Sequence, residues 1–196
     1  GYWSRGLGDV YKRQGAIGME FASFYNDLGV DVTIVEALPS ILPNEDTDIS
    51  DIVKLSFEKR GIKIKTSSAL KSVTTKENSV SAEIITNEKV ETINSEKLIL
   101  AIGIIANTED LGLEDFDIKI DKGHVVTNEF LETDEKGVYA IGDITDGPWL
   151  AHKASHEGIL CVEKIAGHQN LKPIDKTSIP GCTYCRPQVA SIGMTE

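Results

Sequence analysis

The sequence predicts an α/β protein, and three of its stretches carry that prediction. Residues 15–29 have apolar side chains at helical spacing and close on a glycine, and the β-branched residues 30–36 after them predict a strand. Residues 80–86 and 89–93 flank a polar turn and predict strands of a β-meander. Residues 138–141 are an uncharged apolar run, which is typical of a buried parallel strand. Helices and apolar strands therefore alternate as they do in α/β folds.

Composition and charge narrow the classes of function. The chain has 196 residues, with 20 Lys and Arg against 31 Asp and Glu, so its net charge is −11. Binding to nucleic acid needs a basic surface, and none is visible, so we expect no nucleic-acid partner. No apolar run is long enough to span a bilayer and no signal peptide is recognisable. These features predict a cytoplasmic protein without a membrane partner.

The first 14 residues differ from the rest of the chain. They show no strand alternation and resemble a translated adapter sequence. We therefore interpret residues 1–14 as a non-native or disordered segment and leave them out of the fold prediction. The alternative is a genuine flexible N-terminus.

Gly15 and Gly18 have the spacing of the second and third glycines of the dinucleotide fingerprint G-x-G-x-x-G. Arg13 stands in the place of the first glycine, so only part of the fingerprint is present. Gly15 would let the backbone approach a pyrophosphate, and Gly18 would let the helix pack closely on a strand. Glu36 ends the next strand about twenty residues on, where a carboxylate accepts both ribose hydroxyls of NAD and repels the 2′-phosphate of NADP. The alternative for Glu36 is a solvated strand end.

Three further elements complete the first half. Residues 46–60 predict a helix, residues 62–66 alternate like a strand, and residues 98–103 predict a buried strand that ends at Gly103. The apolar positions that predict the helix are Ile49, Ile52, Val53, Leu55 and Phe57.

The best candidate site in the second half is the apolar run 138–141 with the Gly142-Asp143 pair that ends it. Ligands of open α/β sheets bind at the carboxyl ends of strands, where a carboxylate can accept hydrogen bonds from a polyol. Residues 149–166 predict a helix after this pair, and its free N-terminal amides would face the same ligand. The small and apolar residues whose spacing predicts this helix are Ala151, Ala154, Gly158, Ile159, Val162 and Ile165. The alternative is an ordinary turn in which Asp143 caps the helix.

Two motifs of the second half resemble those of a known family, the flavoprotein disulfide reductases, in particular the dihydrolipoyl dehydrogenases. The second FAD motif of that family is similar to residues 133–143, T-D-E-K-G-V-Y-A-I-G-D, and its continuation is similar to residues 147–153, G-P-W-L-A-H-K. The resemblance covers residues 15–196, although residues 103–107 lack the Arg and Pro usual in this family. It implies a Rossmann-like FAD/NAD(P)-binding fold with a β-meander, divided among residues 15–104 (NAD-binding domain without its first strand), 105–174 (C-terminal part of the FAD-binding domain) and 175–196 (start of an α+β dimerisation domain).

The resemblance also implies two cofactors, FAD and NAD. No metal is expected, because the cysteines are too few and the histidines do not have the spacing of metal ligands. In the family the equivalent of Asp143 binds the ribityl chain of FAD, and the equivalent of Glu20 pairs with a Lys beside the flavin. The alternative for Glu20 is a charge that complements the helix dipole. The implied FAD-binding residues are Gly142, Asp143, Trp149, Leu150, Ala151 and His152, and the implied NAD-binding residues are Gly15, Ala16, Ile17, Gly18, Glu36, Leu70 and Gly103.

As an activity, the resemblance implies a fragment of a homodimeric enzyme that reoxidises dihydrolipoamide with NAD⁺. Its partner would be the acyltransferase or lipoyl-carrier subunit of a 2-oxo acid dehydrogenase complex. The redox cysteines and the catalytic His–Glu pair of the family are not expected in this chain. The alternatives are mercuric reductase, a pyridine nucleotide transhydrogenase, and a non-catalytic nucleotide-binding module.

Cys182 and Cys185 have the C-x-x-C spacing of zinc and redox sites. A zinc site needs more ligands than two cysteines, and a thioredoxin-type pair opens a helix, whereas these two lie in β-prone sequence before Pro187. We therefore interpret both as structural thiols.

Overall fold

The computed structural model describes residues 14–194 of the chain. The predicted non-native segment, residues 1–14, lies outside the described residues except for Gln14, at which the first helix begins. Backbone contacts divide the chain into two units, residues 14–103 with 182–191 and residues 104–181 with 192–194. The predicted domain boundaries are not tested by this division and stay predictions.

The elements of the first unit agree in type and order with most of the sequence prediction. They are α1 (Gln14–Asp27), β1 (Thr33–Val35), α2 (Thr47–Lys59), β2 (Lys63–Lys65), β3 (Ser68–Lys76), β4 (Ser79–Thr86) and β5 (Lys89–Ser95). The second unit contains β6 (Ile120–Asp121), β7 (His124–Val125) and α3 (Ala151–Ile165), and a final pair of strands follows, β8 (Gly181–Thr183) and β9 (Val189–Ser191).

A β-α-β arrangement forms the centre of the first unit. Strands β1 and β2 pair in parallel, with Ile34 opposite Ile64, and α2 connects them. The parallel pair follows from the sequence because a helix-length connection separates two short β-branched runs. The core beneath it comprises Met19, Ala22, Ile34, Ile41, Leu42, Val53, Phe57, Ile62, Cys185 and Val189.

Helix α2 begins with a side-chain cap and buries one apolar stripe. The Asp46 carboxylate accepts a hydrogen bond from the Asp48 amide at 2.9 Å, which satisfies one of the free donors at the helix start. Only Ser50, Val53 and Phe57 of this helix are buried. The other apolar positions that predict the helix, Ile49, Ile52 and Leu55, are exposed.

The β-meander has one strand more than the sequence indicates. Strands β3, β4 and β5 pair antiparallel in that order, and β3 was not predicted. Its residues are almost all exposed, with a register shift between Leu70 and Ser72. A strand that buries little lacks the apolar alternation by which strands are recognised, so only its pairing with β4 reveals it.

The predicted buried strand at residues 98–103 is wrong. These residues belong to no sheet of the described chain, and Leu98, Ile99, Leu100 and Ile102 are between 38% and 58% exposed. A fully buried strand needs hydrogen-bonded neighbours on its edges and elements covering both faces, and local sequence supplies neither.

The predicted buried parallel strand at residues 138–141 is also wrong. Only one antiparallel bridge forms there, between Glu132 and Tyr139, and only Ala140 is buried. Val138 and Ile141 are exposed, and no strand of the described residues pairs with this run beyond that bridge. The run leads into a single 3₁₀ turn at Gly142–Ile144.

Helix α3 forms as predicted, but the residues that it buries are not those whose spacing predicts it. Its buried residues are Lys153, Glu157, Leu160 and Cys161, whereas Ile159, Val162 and Ile165 are at least 56% exposed. The helix carries apolar residues on more than one face, so spacing alone does not identify the buried one. No helix among residues 14–194 has the length and apolar character needed to cross a membrane.

Candidate functional site

The start of α1 packs tightly on the loop that follows β1. A Cβ atom built on Gly15 would lie 2.9 Å from Pro43 Cδ and 3.0 Å from the backbone of Leu42. Backbone atoms cannot yield as a side chain can, so a larger residue at position 15 would displace the helix start. The structure therefore explains this glycine by packing against protein, and its predicted role beside a pyrophosphate stays a prediction.

The other fingerprint residues of α1 are partly accessible. A Cβ atom on Gly18 would contact the Ala101 side chain at 3.7 Å, an ordinary van der Waals distance, so no steric requirement for glycine is evident there. Ala16 packs against the core and Ile17 is half-buried. Glu20 accepts a hydrogen bond from the Tyr184 amide at 2.8 Å, a contact that neither predicted role of this residue includes.

Glu36 lies immediately after β1 and has a defined conformation. Its Oε1 atom accepts a hydrogen bond from the Leu38 amide at 2.9 Å, and its backbone carbonyl accepts one from the Ser68 amide. The half-buried carboxylate is therefore more constrained than a solvated strand end. Leu70 and Gly103, the remaining implied NAD residues, are both exposed, and Leu70 lies in β3.

Asp143 lies in the 3₁₀ turn Gly142–Ile144 with an exposed side chain. Gly142 has φ +75°, a left-handed conformation that glycine adopts without strain. The N-cap of α3 is Leu150, so Asp143 does not cap that helix, and the alternative of a capping Asp is wrong. No residue among 14–194 forms a hydrogen bond or ion pair with this carboxylate, which leaves it available to accept hydrogen bonds from a ligand.

A buried ion pair holds the turn from beneath. Lys153 and Glu157 lie one turn apart on α3, their side chains are 1% and 7% exposed, and Lys153 Nζ lies 3.0 Å from Glu157 Oε1. The Gly142 amide donates to Glu157 Oε2 at 2.7 Å, and Lys153 donates to the Gly142 carbonyl and to Thr145 Oγ1, each at 3.0 Å. Neither residue was among the predicted site residues. The available signals were the i, i+4 spacing of the two charges and the position of Lys153 at the end of the 147–153 motif.

The implied residues at the start of α3 form an uncapped helix end. Leu150 offers no side-chain cap, so amides of the first turn are free to meet an acceptor. Trp149 makes an edge contact with the His124 ring at 5.7 Å, and the His152 Nε2 atom lies 2.8 Å from the Pro180 carbonyl. Ala151 and His152 are exposed.

The chemistry of these donor sets fits the two implied cofactors. The exposed Asp143 carboxylate provides an acceptor for polyol hydroxyls. The backbone amides at the uncapped start of α3, a few residues later, provide donors for an electron-rich ring. In the first unit, the Glu36 Oε2 atom accepts no hydrogen bond from residues 14–194, and this atom suits a ribose hydroxyl. The residues of the two groups lie in different units.

The cysteines do not assemble a further centre in the described part of the chain. Cys161 and Cys185 are buried and Cys182 is exposed, and all three are free thiols. Burial raises the pKa of the Cys185 thiol, which disfavours the reactive thiolate form. Among residues 14–194, no three His, Cys, Asp or Glu side chains are grouped so that they could hold a metal ion.

Comparison with known proteins identifies relatives that carry the same elements. The dihydrolipoyl dehydrogenase of Rhizobium etli is 51% identical over 183 residues, which are 93% of this chain and 38% of that protein. The dihydrolipoyl dehydrogenase of Bacillus subtilis is 41% identical over 184 residues, 93% of this chain and 39% of that protein. The chain thus spans less than half the length of these relatives.

Solved structures agree with this relationship. LpdA from Mycobacterium tuberculosis superimposes with a TM-score of 0.84 at 29% identity, covering 92% of this chain and 39% of that one. The HOCl-induced flavoprotein disulfide reductase RclA from Escherichia coli gives a TM-score of 0.84 at 27% identity, covering 93% of this chain and 41% of that one.

The sequence pattern of the pyridine nucleotide-disulphide oxidoreductases matches residues 14–158. This match includes α1, Glu36, the meander, the Gly142–Ile144 turn and the first half of α3. It confirms the predicted resemblance and the predicted α/β dinucleotide-binding fold. The chain therefore belongs to the pyridine nucleotide-disulphide oxidoreductase family.

Proposed function

We propose that this chain is part of a dihydrolipoyl dehydrogenase, which oxidises protein-bound dihydrolipoamide and reduces NAD⁺. The observation that carries the proposal is the 51% identity to a dihydrolipoyl dehydrogenase across 93% of the chain. The fold alone does not decide between activities, because LpdA and RclA superimpose equally well. The higher sequence identity to the dihydrolipoyl dehydrogenases favours that activity over the other disulfide reductases and over a non-catalytic module.

In this proposal the residues of the second unit bind FAD. Asp143 accepts a hydrogen bond from the ribityl chain, and the residues from Trp149 to His152 present the uncapped start of α3 to the flavin ring. The exposed Asp143 carboxylate and the apolar N-cap Leu150 support these roles. When bound, the flavin supplies the two-electron chemistry that links a disulfide to the nicotinamide, and the protein contributes orientation and electrostatics.

The residues of the first unit bind NAD in the same proposal. The Leu38 amide holds one oxygen of Glu36, so the carboxylate has a fixed direction in which to accept the adenosine ribose hydroxyls. A fixed negative charge at this position repels a 2′-phosphate, and we therefore propose NAD rather than NADP as the acceptor. Gly15, Ala16, Ile17, Gly18, Leu70 and Gly103 complete the proposed NAD contacts, and Glu20 is proposed as a support beside the flavin.

The proposal extends to the surroundings of the complete enzyme. Its substrate would be dihydrolipoamide carried on the acyltransferase or lipoyl-carrier subunit of a 2-oxo acid dehydrogenase complex. We further propose that the complete enzyme is a homodimer, as the family resemblance implies. We also propose a cytoplasmic location, since three free cysteines are too few for the disulfide framework of a small secreted protein.

The test is steady-state kinetics of the complete flavoprotein that contains this chain. We expect reduction of NAD⁺ by dihydrolipoamide, with kcat/KM at least about tenfold higher than for NADP⁺, the effect of one charge-assisted hydrogen bond of roughly 1.5–3 kcal/mol. Reduction of mercuric ion by NADPH is measured in parallel, as the test of the alternative reductase activity.

Two results would contradict different parts of the proposal. A flavin-loaded protein that does not oxidise dihydrolipoamide would refute the activity, and reduction of mercuric ion in its place would support the alternative reductase. Equal or better kcat/KM with NADP⁺ would refute only the role of Glu36. A Glu36→Gln variant provides the matched control, because it keeps the size and an acceptor oxygen but removes the charge.

A further inference from the structure

The Lys153 ammonium is fully satisfied inside the second unit. It has three N–H donors, and three acceptors lie 3.0 Å away: Glu157 Oε1, the Gly142 carbonyl and Thr145 Oγ1. Glu157 uses its other oxygen for the Gly142 amide at 2.7 Å. One buried ion pair therefore binds both backbone polar groups of a single residue, Gly142.

Local helix stability does not explain this pair. Lys153 is the third residue of α3, and a cation in the first turn of a helix opposes the helix dipole. The order Lys then Glu at i, i+4 is also the less favourable of the two orders for an isolated helix. Both charges are moreover taken out of water, and this desolvation often offsets the attraction between them.

The contacts of the pair converge on the backbone that carries Asp143. Gly142 precedes Asp143 directly, and Thr145, two residues after it, donates its hydroxyl to the Gly142 carbonyl at 2.8 Å and its amide to the same oxygen at 3.1 Å. Thr145 is 2% exposed, whereas Asp143 is exposed. The turn is thus fixed on its buried side and leaves one carboxylate on its open side.

We propose that Lys153 and Glu157 are positioning residues that hold the Gly142–Ile144 turn so that Asp143 presents its carboxylate to the flavin polyol. This inference rests on the proposed FAD-binding role of Asp143 and adds two residues that act through the backbone and not through contact with the cofactor. A carboxylate on a fixed turn loses less conformational freedom when a ligand binds, which increases its affinity.

The test uses the complete flavoprotein and a double variant, Lys153→Met with Glu157→Met. Methionine approximates the length of both side chains, and replacing both members of a buried ion pair with apolar residues leaves no unpaired charge, so the fold is expected to persist. Thr145→Val is the second variant, because it removes one hydroxyl link at nearly constant size and keeps the ion pair. The readouts are the flavin dissociation constant, the visible circular dichroism of the bound flavin, and thermal unfolding of the apoprotein.

We expect the double variant to bind flavin about tenfold more weakly, as for the loss of one or two hydrogen bonds, with an altered flavin circular dichroism and an apoprotein that still unfolds cooperatively. Thr145→Val should show a smaller change in the same direction. The control is Lys176→Met with Asp146→Asn, which removes an exposed ion pair of 2.9 Å that begins one residue after Thr145. This control should leave both flavin readouts unchanged.

Wild-type flavin affinity and circular dichroism in both the double variant and Thr145→Val would overturn the inference. An equal loss in the Lys176 and Asp146 control would also overturn it, since proximity to the turn would then be sufficient. If the double variant does not fold, Thr145→Val alone decides by the same readouts. Failure of the wild-type protein to bind flavin would instead refute the proposed function, so the two failures are distinguishable.

Discussion

Helices α2 and α3 each bury a pair of side chains four residues apart, but the pair is apolar in α2 and charged in α3. Helix α2 buries Val53 and Phe57 in an apolar core of ten residues, whereas α3 places Lys153 and Glu157 at positions that are just as inaccessible. Apolar burial stabilises a fold without specifying the direction of any polar group. A buried ion pair adds little or no net stability but fixes the groups that satisfy it. Helix α3 also buries Leu160 and Cys161 in a small apolar cluster, so the contrast concerns its N-terminal half, where the ion pair fixes the Gly142 turn.

The largest expected effect comes from breaking the ion pair on one side. Lys153→Met leaves the Glu157 carboxylate buried without its counter-ion, and we expect the free energy of unfolding to fall by roughly 3–5 kcal/mol. Chemical denaturation of the wild type and the variant measures this. If the variant lost less than about 1 kcal/mol, the charges would be better solvated than the structure indicates, and the contrast between the helices would weaken.

A comparable loss is expected from the apolar side of the comparison. Phe57 is fully buried, and Phe57→Ala removes its packing and leaves a cavity, which typically lowers the free energy of unfolding by about 3–5 kcal/mol. The two helices differ in the response to a second substitution. The further change Glu157→Met should restore part of the stability lost in Lys153→Met, because it removes the unpaired charge, although the Gly142 amide then lacks its acceptor. No single partner substitution should restore Phe57→Ala. A double-mutant cycle would show whether this difference exists.

Two aspartates sharpen the comparison at a smaller scale. Asp46 caps α2, so Asp46→Ala should lower the free energy of unfolding by about 1 kcal/mol without changing flavin release.

Asp143 caps no helix, and Asp143→Ala should weaken flavin binding in the complete enzyme by roughly 1–3 kcal/mol, about five- to a hundredfold, with little change in stability. Asp143→Asn keeps an acceptor and should lose less. Flavin fluorescence after dilution and thermal melting separate the two roles, and exchanged outcomes would contradict the assignment.

The smallest expected effect concerns the exposed ion pair of the second unit. The Lys176 ammonium lowers the pKa of Asp146, so the contribution of this pair to stability is present above the unfolded pKa of about 3.9 and is lost as the pH falls through the lower folded pKa. Because Asp146 is 84% exposed, Lys176→Met should change the free energy of unfolding by less than about 1 kcal/mol at neutral pH. The difference from wild type should vanish in acid. A difference that persists below the folded pKa would point to packing of the Lys176 stem.

Motifs in local sequence predicted the elements around the candidate sites. Residues 15–29, the Gly-Asp pair and the helix after it all have short-range signals, namely helical spacing and glycines at set positions. The buried face of α3 could not be predicted in the same way. Lys and Glu at i, i+4 on a helix usually indicate a solvated surface pair, and only the packing of the Gly142 turn against Lys153 and Glu157 removes both from water.

The two apolar runs failed as predicted strands for a related reason. Residues 98–103 and 138–141 have strong β-propensity, but a strand exists only where another strand accepts and donates its backbone hydrogen bonds. Conversely, β3 has little apolar character and becomes a strand because β4 pairs with it along nearly its whole length.

The sequence by itself determined the α/β class, the positions of α1, α2 and α3, the family and the Asp143 turn, because helical periodicity, glycines and motif residues act over a few neighbouring positions. Only the tertiary structure decided which strands pair, which face of α3 is buried, why position 15 is glycine and which side chains hold Gly142. These features depend on contacts between residues distant in the sequence, such as Gly15 with Leu42 and Gly142 with Glu157. The free energy of such contacts depends on burial and geometry, which local patterns do not encode.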